Sequence, residues 1–245
     1  MKLIGTIHHY DLEGPRRLEK LLQRIKPKKI TIETPSDRSP EQVERLLLDR
    51  RTQTLDILAS VQLPDCVRAL YTEMFSQEGY EAMESILYAR KEGVQIYGVD
   101  HPEVLKTLSI DENMLRRQLE EESRSLPSEV LGLSYCQVRP FFVELFDRMY
   151  LDKPLLISVF SKIAERLAQE DVDHLRSVMR ADEPEFEEVR EQFMADEILR
   201  INPDVHIGGL MHMADFPELQ SGVPLYRRLG SSVDEIIRLG EVDKL

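Results

Sequence analysis

Residues 1–34 constrain the fold of this chain more than any other stretch. "KLIGTIH" (2–8) is an apolar run that ends in turn chemistry, as a buried strand does. "GPRRLEKLLQRI" (14–25) follows, with Leu18, Leu21 and Leu22 on one helical face and Pro15 where a first turn accepts it. "KKITIET" (28–34) then alternates as a strand until "PSDRSP" breaks it. A strand, a helix and a strand in so short a span predict a β-α-β unit, and hence parallel strands joined by a right-handed crossover.

The rest of the chain extends that unit. From Pro40 to about Glu92 the period is helical, with "SPEQVERLLLDRR" and "EGYEAMESILYARKEG" as separate segments. "VQIYGVDHP" (94–102) is a third strand. Residues 111–200 are helical in pattern and rich in charge, divided by Pro127, Pro140, Pro154 and Pro184. "DVHIGGLMH" (204–212) returns to strand character, and "LYRRLG" and "VDEIIRLG" close the chain as short elements. The expected fold class is α/β: a small, mostly parallel sheet built from both chain ends, with a large helical insertion before the last core strand. No linker-like stretch divides the 245 residues. We therefore expect a single domain over 1–245, with a helical subdomain over 103–200 inside it.

Composition removes several classes of function. With 32 Lys and Arg against 45 Asp and Glu, the formal charge is −13. That balance excludes nucleic acid as an expected partner, since phosphate neutralisation needs a concentrated basic face. No run approaches the ~18 apolar residues of a membrane span, and no basic, then apolar leader opens the chain. Cys66 and Cys136 stand far apart with no C-x-x-C spacing, so no cysteine framework or cysteine metal site is expected. A reducing cytoplasm is the expected location.

Polar residues close four of the strand-like runs. "GTIH" ends the first run at His8, and "GLMH" ends the last at His212, each with an aspartate three places on (Asp11, Asp215). Glu33 closes the second run, and Asp100 with His101 closes the third. Parallel strands share a carboxyl edge, where ligands of open α/β sheets bind. Two histidines and a carboxylate at one edge form a facial set for a divalent metal with open positions. The metal would be manganese, cobalt or zinc, with His8, Glu33 and His212 as ligands. Without a metal, a histidine beside a glutamate serves as a general base on water. In the metal scheme Asp100 or His101 would pass a proton to the leaving group; in the metal-free one Arg38 or His212 would stabilise the oxyanion.

Simpler readings exist for each residue. Taken singly, His8 and His212 read as strand-end histidines with satisfied hydrogen bonds. Glu33 leaves an apolar strand where a carboxylate needs a partner, and Arg38 is the obvious one, in a structural ion pair. Asp11 and Asp215 read as helix caps, Asp215 standing at capping-box spacing from Glu218, or as residues that orient their histidines. The acidic run "ADEPEFEEVRE" (181–191) reads as a solvated helix start.

Together these residues resemble the TraB/TIKI superfamily, which includes TraB-like proteins, TIKI metalloproteases, erythromycin esterases and ChaN-like iron or haem proteins. Its pattern is a G-x-x-H after the first strand, a glutamate and an arginine after the second, a G-D-like turn, an arginine-bearing helix, and a last-strand G-x-x-H. Here Gly5 and His8, Glu33 and Arg38, Gly98 and Asp100, Arg190 with Met194 and Ala195, and Gly209 and His212 match it in order. His9 adds an imidazole to the first motif, and Val99 sits inside the G-x-D turn. The resemblance implies that both G-x-x-H motifs wall one site, with His8, Glu33, Arg38, Asp100, His101, Arg190 and His212 as its candidate catalytic residues. It implies a metal-dependent hydrolase of an amide or ester, acting on a peptide or small molecule. The alternatives it carries are a metal-binding or haem-binding protein without turnover, haem being the second choice of cofactor, and a TraB-like regulatory binding protein.

Overall fold

The computed structural model describes residues 1–107, 112–125, 132–158, 184–213 and 223–244. Five parallel strands form one sheet: β1 (Lys2–Thr6), β2 (Lys29–Pro35), β3 (Gln95–Asp100), β4 (Val205–Gly209) and β5 (Glu235–Arg238). Their order across the sheet is β3-β2-β4-β1-β5. The α/β class and the helical insertion are as expected from the sequence. The fifth strand is not: "DEIIR" is too short and too polar to read as one, yet it pairs with β1 from Lys2↔Glu235 to Gly5↔Arg238. It makes β1 an interior strand, and the sheet's last strand follows β4 instead of being β4.

Helices among the described residues include α1 (Gly14–Ile25), α2 (Pro40–Ser60), α3 (Asp65–Ser76), α4 (Tyr80–Glu92), α5 (Glu112–Ser125), α6 (Tyr135–Leu151), α7 (Pro184–Ile201) and α8 (Leu225–Leu229). α1 begins with Pro15 in its first turn and ends at Lys26 in the left-handed conformation. α2 opens on a full capping box, in which Ser39 and Gln42 each satisfy the other's backbone N–H. Pro140 does not divide the insertion as its sequence suggests, but lies inside α6. Pro127 and Asp215 lie outside the described residues.

Chain direction explains how the helices are layered. From β1 to β2 to β3 the chain moves one way across the sheet, and from β3 to β4 to β5 it moves back. Right-handed crossovers taken in opposite directions put their helices on opposite faces. Accordingly, Ile4, Ile30, Ile32, Val205 and Ile207 pack with Leu18, Leu21 and Leu22 of α1 and Ile86 of α4. On the other face Leu3 and Val99 pack with Met194, Ala195 and Ile198 of α7 and with Leu225 and Leu229 of α8.

The strand from the far end of the chain lies between β1 and β2. Its register with β1 sets Gly5 opposite Gly208 and Thr6 opposite Gly209, so the two G-x-x-H motifs are neighbours offset by one residue. Gly98 in β3 has a steric cause of its own. The register of β2 shifts between Ile32 and Pro35. A Cβ on Gly98 would stand 2.6 Å from the carbonyl oxygens of both Thr34 and Pro35. Backbone oxygens in a paired strand cannot step aside. Gly98→Ala is therefore expected to lower stability by ~1–3 kcal/mol, read as a lower urea midpoint with an unchanged slope.

Candidate active site

Glu33 is the centre of a cluster at the carboxyl edge of the sheet. Its Oε2 accepts the Gly209 backbone N–H at 2.7 Å, and its Oε1 accepts from the Arg190 guanidinium at 2.7 Å. His212 Nε2 stands 3.1 Å from the same Oε1. Arg190 also grips Asp100 through two bonds of 2.8 Å, the fork geometry that suits a carboxylate. Glu33 and Arg190 retain only 13% and 15% exposure of their side chains. Burial alone would raise the Glu33 pKa, but the charges of His212, Arg190 and His8 and the His212 hydrogen bond hold it well below the usual carboxylate range.

Each histidine has its own carboxylate on Nδ1. His212 Nδ1 is bonded to Glu191 of α7, and His8 Nδ1 lies 3.0 Å from Glu81 Oε1 in the first turn of α4. Glu81 is fixed in turn by the Thr6 hydroxyl at 2.8 Å. Burial disfavours charge on His212, yet Glu33 and Glu191 outweigh it and hold its pKa well above the ordinary value. Desolvation also opposes charge on His8, and there the Glu81 hydrogen bond and charge prevail, so its pKa is raised. Both rings lie beside Gly209. A Cβ built on that glycine would lie 3.0 Å from His8 Nε2 and 3.5 Å from His212 Cδ2. A Cβ on Gly208 would meet Glu33 Oε2 at 2.8 Å. The glycines of the last motif thus make room for the side chains of the first two.

His8 is held in an unusual backbone state. Its φ is +53°, a left-handed conformation that costs a residue other than glycine about 1–3 kcal/mol. The restraint comes from both sides. The Ile7 N–H donates to the Tyr150 hydroxyl at 3.2 Å, and the Asp11 N–H donates to the His8 carbonyl at 3.1 Å. Tyr150 donates to Asp11 Oδ2 at 2.9 Å, and Arg17 pairs with Asp11, Asp147 and Asp243. Asp11 caps the Glu13 N–H and anchors the turn. It does not orient the His8 ring; Glu81 has that place.

Other expected residues stand differently. Arg38 does not partner Glu33: β2 ends at Pro35, and Arg38 lies beyond the following turn, 46% exposed and 3.8 Å from Asp37. Arg190 reaches Glu33 instead, from the opposite helix layer. Asp100 faces the cleft with both oxygens on Arg190, and its Oδ1 also accepts the His101 backbone N–H at 2.7 Å. His101 packs its ring edge-on against Phe193, and its Nδ1 accepts the Glu103 N–H. His206, buried in β4 and bonded to Thr31, is driven down to about 4 by burial and stays neutral.

Sequence reasoning missed Glu81 and Glu191. Glu81 carried a readable signal, a charge among Tyr80, Ala82 and Met83, all of them buried. Glu191 follows Arg190 at the end of the run 181–191 read as a solvated helix start. Residues 181–183 lie outside the described residues, Glu188 and Val189 are exposed, and the reading is corrected for Glu191, whose side chain is 12% exposed. Comparison with family models, with curated proteins and with solved structures gives no match.

The cluster faces a cavity of about 690 Å³, lined at this end by His8, Glu33, Asp100 and Arg190. Among the described residues, no helix is long and apolar enough to cross a membrane.

The charges set a pH dependence. Glu33, with its pKa depressed, contributes stability that is full above about 4.5 and lost as pH falls through its folded value. His212, with its pKa raised, contributes stability that is full below about 6.5 and lost as pH rises through its folded value. Denaturant titrations should therefore find wild-type stability falling as pH rises from 6.5, and His212→Gln should remove that part of the decline.

Proposed function

We propose that this cleft hydrolyses an amide or ester, as the TraB/TIKI resemblance implies, with a divalent metal as cofactor. The observation that carries the reading is the pair of histidine–glutamate dyads, His8–Glu81 and His212–Glu191, which lie beside Gly209 with His212 Nε2 3.1 Å from Glu33.

The donor set fits a divalent cation chemically. Metal-binding imidazoles have the remaining ring nitrogen held by a carboxylate, and Glu81 and Glu191 hold Nδ1 on both rings here. The ligands would be Nε2 of His8, Nε2 of His212 and the Glu33 carboxylate. Among the described residues, no three His, Cys, Asp or Glu side chains already form a cage. Binding therefore needs the His8 dyad and the His212–Glu33 pair to close on each other. When bound, the ion supplies Lewis acidity towards a carbonyl and towards water.

The chain's own residues have distinct tasks. His8 is half-exposed, with Nδ1 committed to Glu81, so its Nε2 edge is the one offered to a molecule in the cleft. In a metal-free variant that edge would take a proton from water, and the Glu81 carboxylate would stabilise the ring as it charges. Arg190 and His212 meet on one oxygen of Glu33, and their positive charge favours the oxyanion of a tetrahedral intermediate.

One observation favours a metal-free variant of the same chemistry. His212 lies between two carboxylates as an imidazolium, with neither nitrogen offered to a metal. Chelation separates the two variants. Protein freed of metal should lose ester or peptide hydrolysis and recover it with manganese, cobalt or zinc, and metal uptake should strengthen as pH rises, because protons leave the imidazoles. Activity that survives chelation would sink the metal and leave His8 as base. In either variant His8→Ala should lower kcat by about 10²–10⁴-fold. A protein that binds metal or haem, the latter seen as a visible absorption band, but cleaves no ester or peptide is a binding protein.

A further inference from the structure

Beyond the reacting groups, the cavity changes character. Its wall there is Val43, Leu46 and Leu47 of α2, with Ala82 of α4 and Ile32 of β2. Leu46 is 40% exposed, a large apolar side chain turned towards open space. Leu47 closes one side because residue 79 is glycine. Gly79 has φ +68°, and a Cβ there would stand 2.5 Å from Leu47 Cδ2. Of the charged residues of the rim, Arg50 is tightly paired, whereas Asp49 and Arg38 are exposed, of opposite charge, and in loose contacts only. Arg50 lies 2.5 Å from Glu78, Asp49 is 3.9 Å from Arg45, and Arg38 is 3.8 Å from Asp37.

A volume of about 690 Å³ suits a drug-sized molecule. Arg38 and Asp49 carry opposite charges and Arg50 is paired with Glu78, so the rim favours neither sign of ligand, and the α2 wall rewards apolar area. We propose that the substrate is a neutral ester or amide carrying a long apolar arm, which lies along α2 between Leu46, Leu47 and Ala82 while its carbonyl meets His8. The inference rests on the hydrolase reading for the carbonyl, but the seat of the arm is tested without turnover.

The seat is tested by calorimetric titration of straight-chain alcohols from propanol to octanol into the whole protein. Affinity should climb roughly three- to fourfold per methylene. Leu46→Asp and Leu46→Lys, both changes at a half-exposed position, should each cut octanol affinity by tenfold or more and flatten the series. Straight-chain p-nitrophenyl esters, from acetate to decanoate, should follow the same climb in kcat/KM. If no ester is cleaved but alcohol affinity climbs and the Leu46 variants flatten it, hydrolysis fails and the apolar seat stands. Flat alcohol affinities, a climb that both variants leave intact, or esters cleaved equally at every length would overturn the proposal.

Discussion

The Glu33 carboxylate stands at the end of an apolar strand, almost out of water, and everything around it follows from the need to compensate its charge. A carboxylate so buried survives only with hydrogen bonds and opposite charge close by. It receives a backbone N–H from β4, a guanidinium from α7 and an imidazole from the turn after β4. Those groups belong to segments more than 150 positions away in the chain. The pairing therefore works as a lock on topology: β4 must lie beside β2, and α7 must cover the face opposite α4. Buried ion pairs add little net stability over apolar packing, but removing one partner commonly costs about 3–5 kcal/mol. Arrangements that separate these groups are penalised in the same way.

The same requirement shapes the site. Arg190 shares itself between Glu33 and Asp100, so the ends of β2 and β3 are tied to one guanidinium. His212 is held from both nitrogens, whereas His8 is held from one. This asymmetry distinguishes their surroundings. The ring with two carboxylates is fixed and charged, and the ring with one presents its other edge to the cleft. The strained backbone at His8 belongs to that presentation, and the Tyr150–Asp11–Arg17 network sustains it from beneath. Tyr150 remains protonated to do so, because burial and the neighbouring Asp11 push its pKa well above the ordinary phenol value.

Much of the fold could be read locally. The first β-α-β unit, Pro15 at the start of α1, the capping box at Ser39 and the long helical insertion follow from periodicity and turn chemistry, which act over a few residues. The strands that bear His8, Glu33, Asp100 and His212 were legible because apolar runs ended in polar groups. β5 was not, because a short edge strand with two exposed residues has no alternating signal. Glu81 and Glu191 were hidden for a related reason: on a helix, a charge facing solvent and a charge facing a site have the same spacing.

What the sequence by itself determined is the list of parts: an α/β chain with histidines and carboxylates at strand ends. It could not determine which part meets which. Arg38 is five residues from Glu33 and lies beyond a turn, facing Asp37; Arg190 is far away in sequence and holds Glu33 at 2.7 Å. Sequence proximity fixes neighbours only along the backbone, whereas a buried charge is answered by whatever group the packed layers bring to it. The reversal of chain direction across the sheet, which sends α4 to one face and α7 to the other, decided that Glu81 would hold His8 and Glu191 would hold His212.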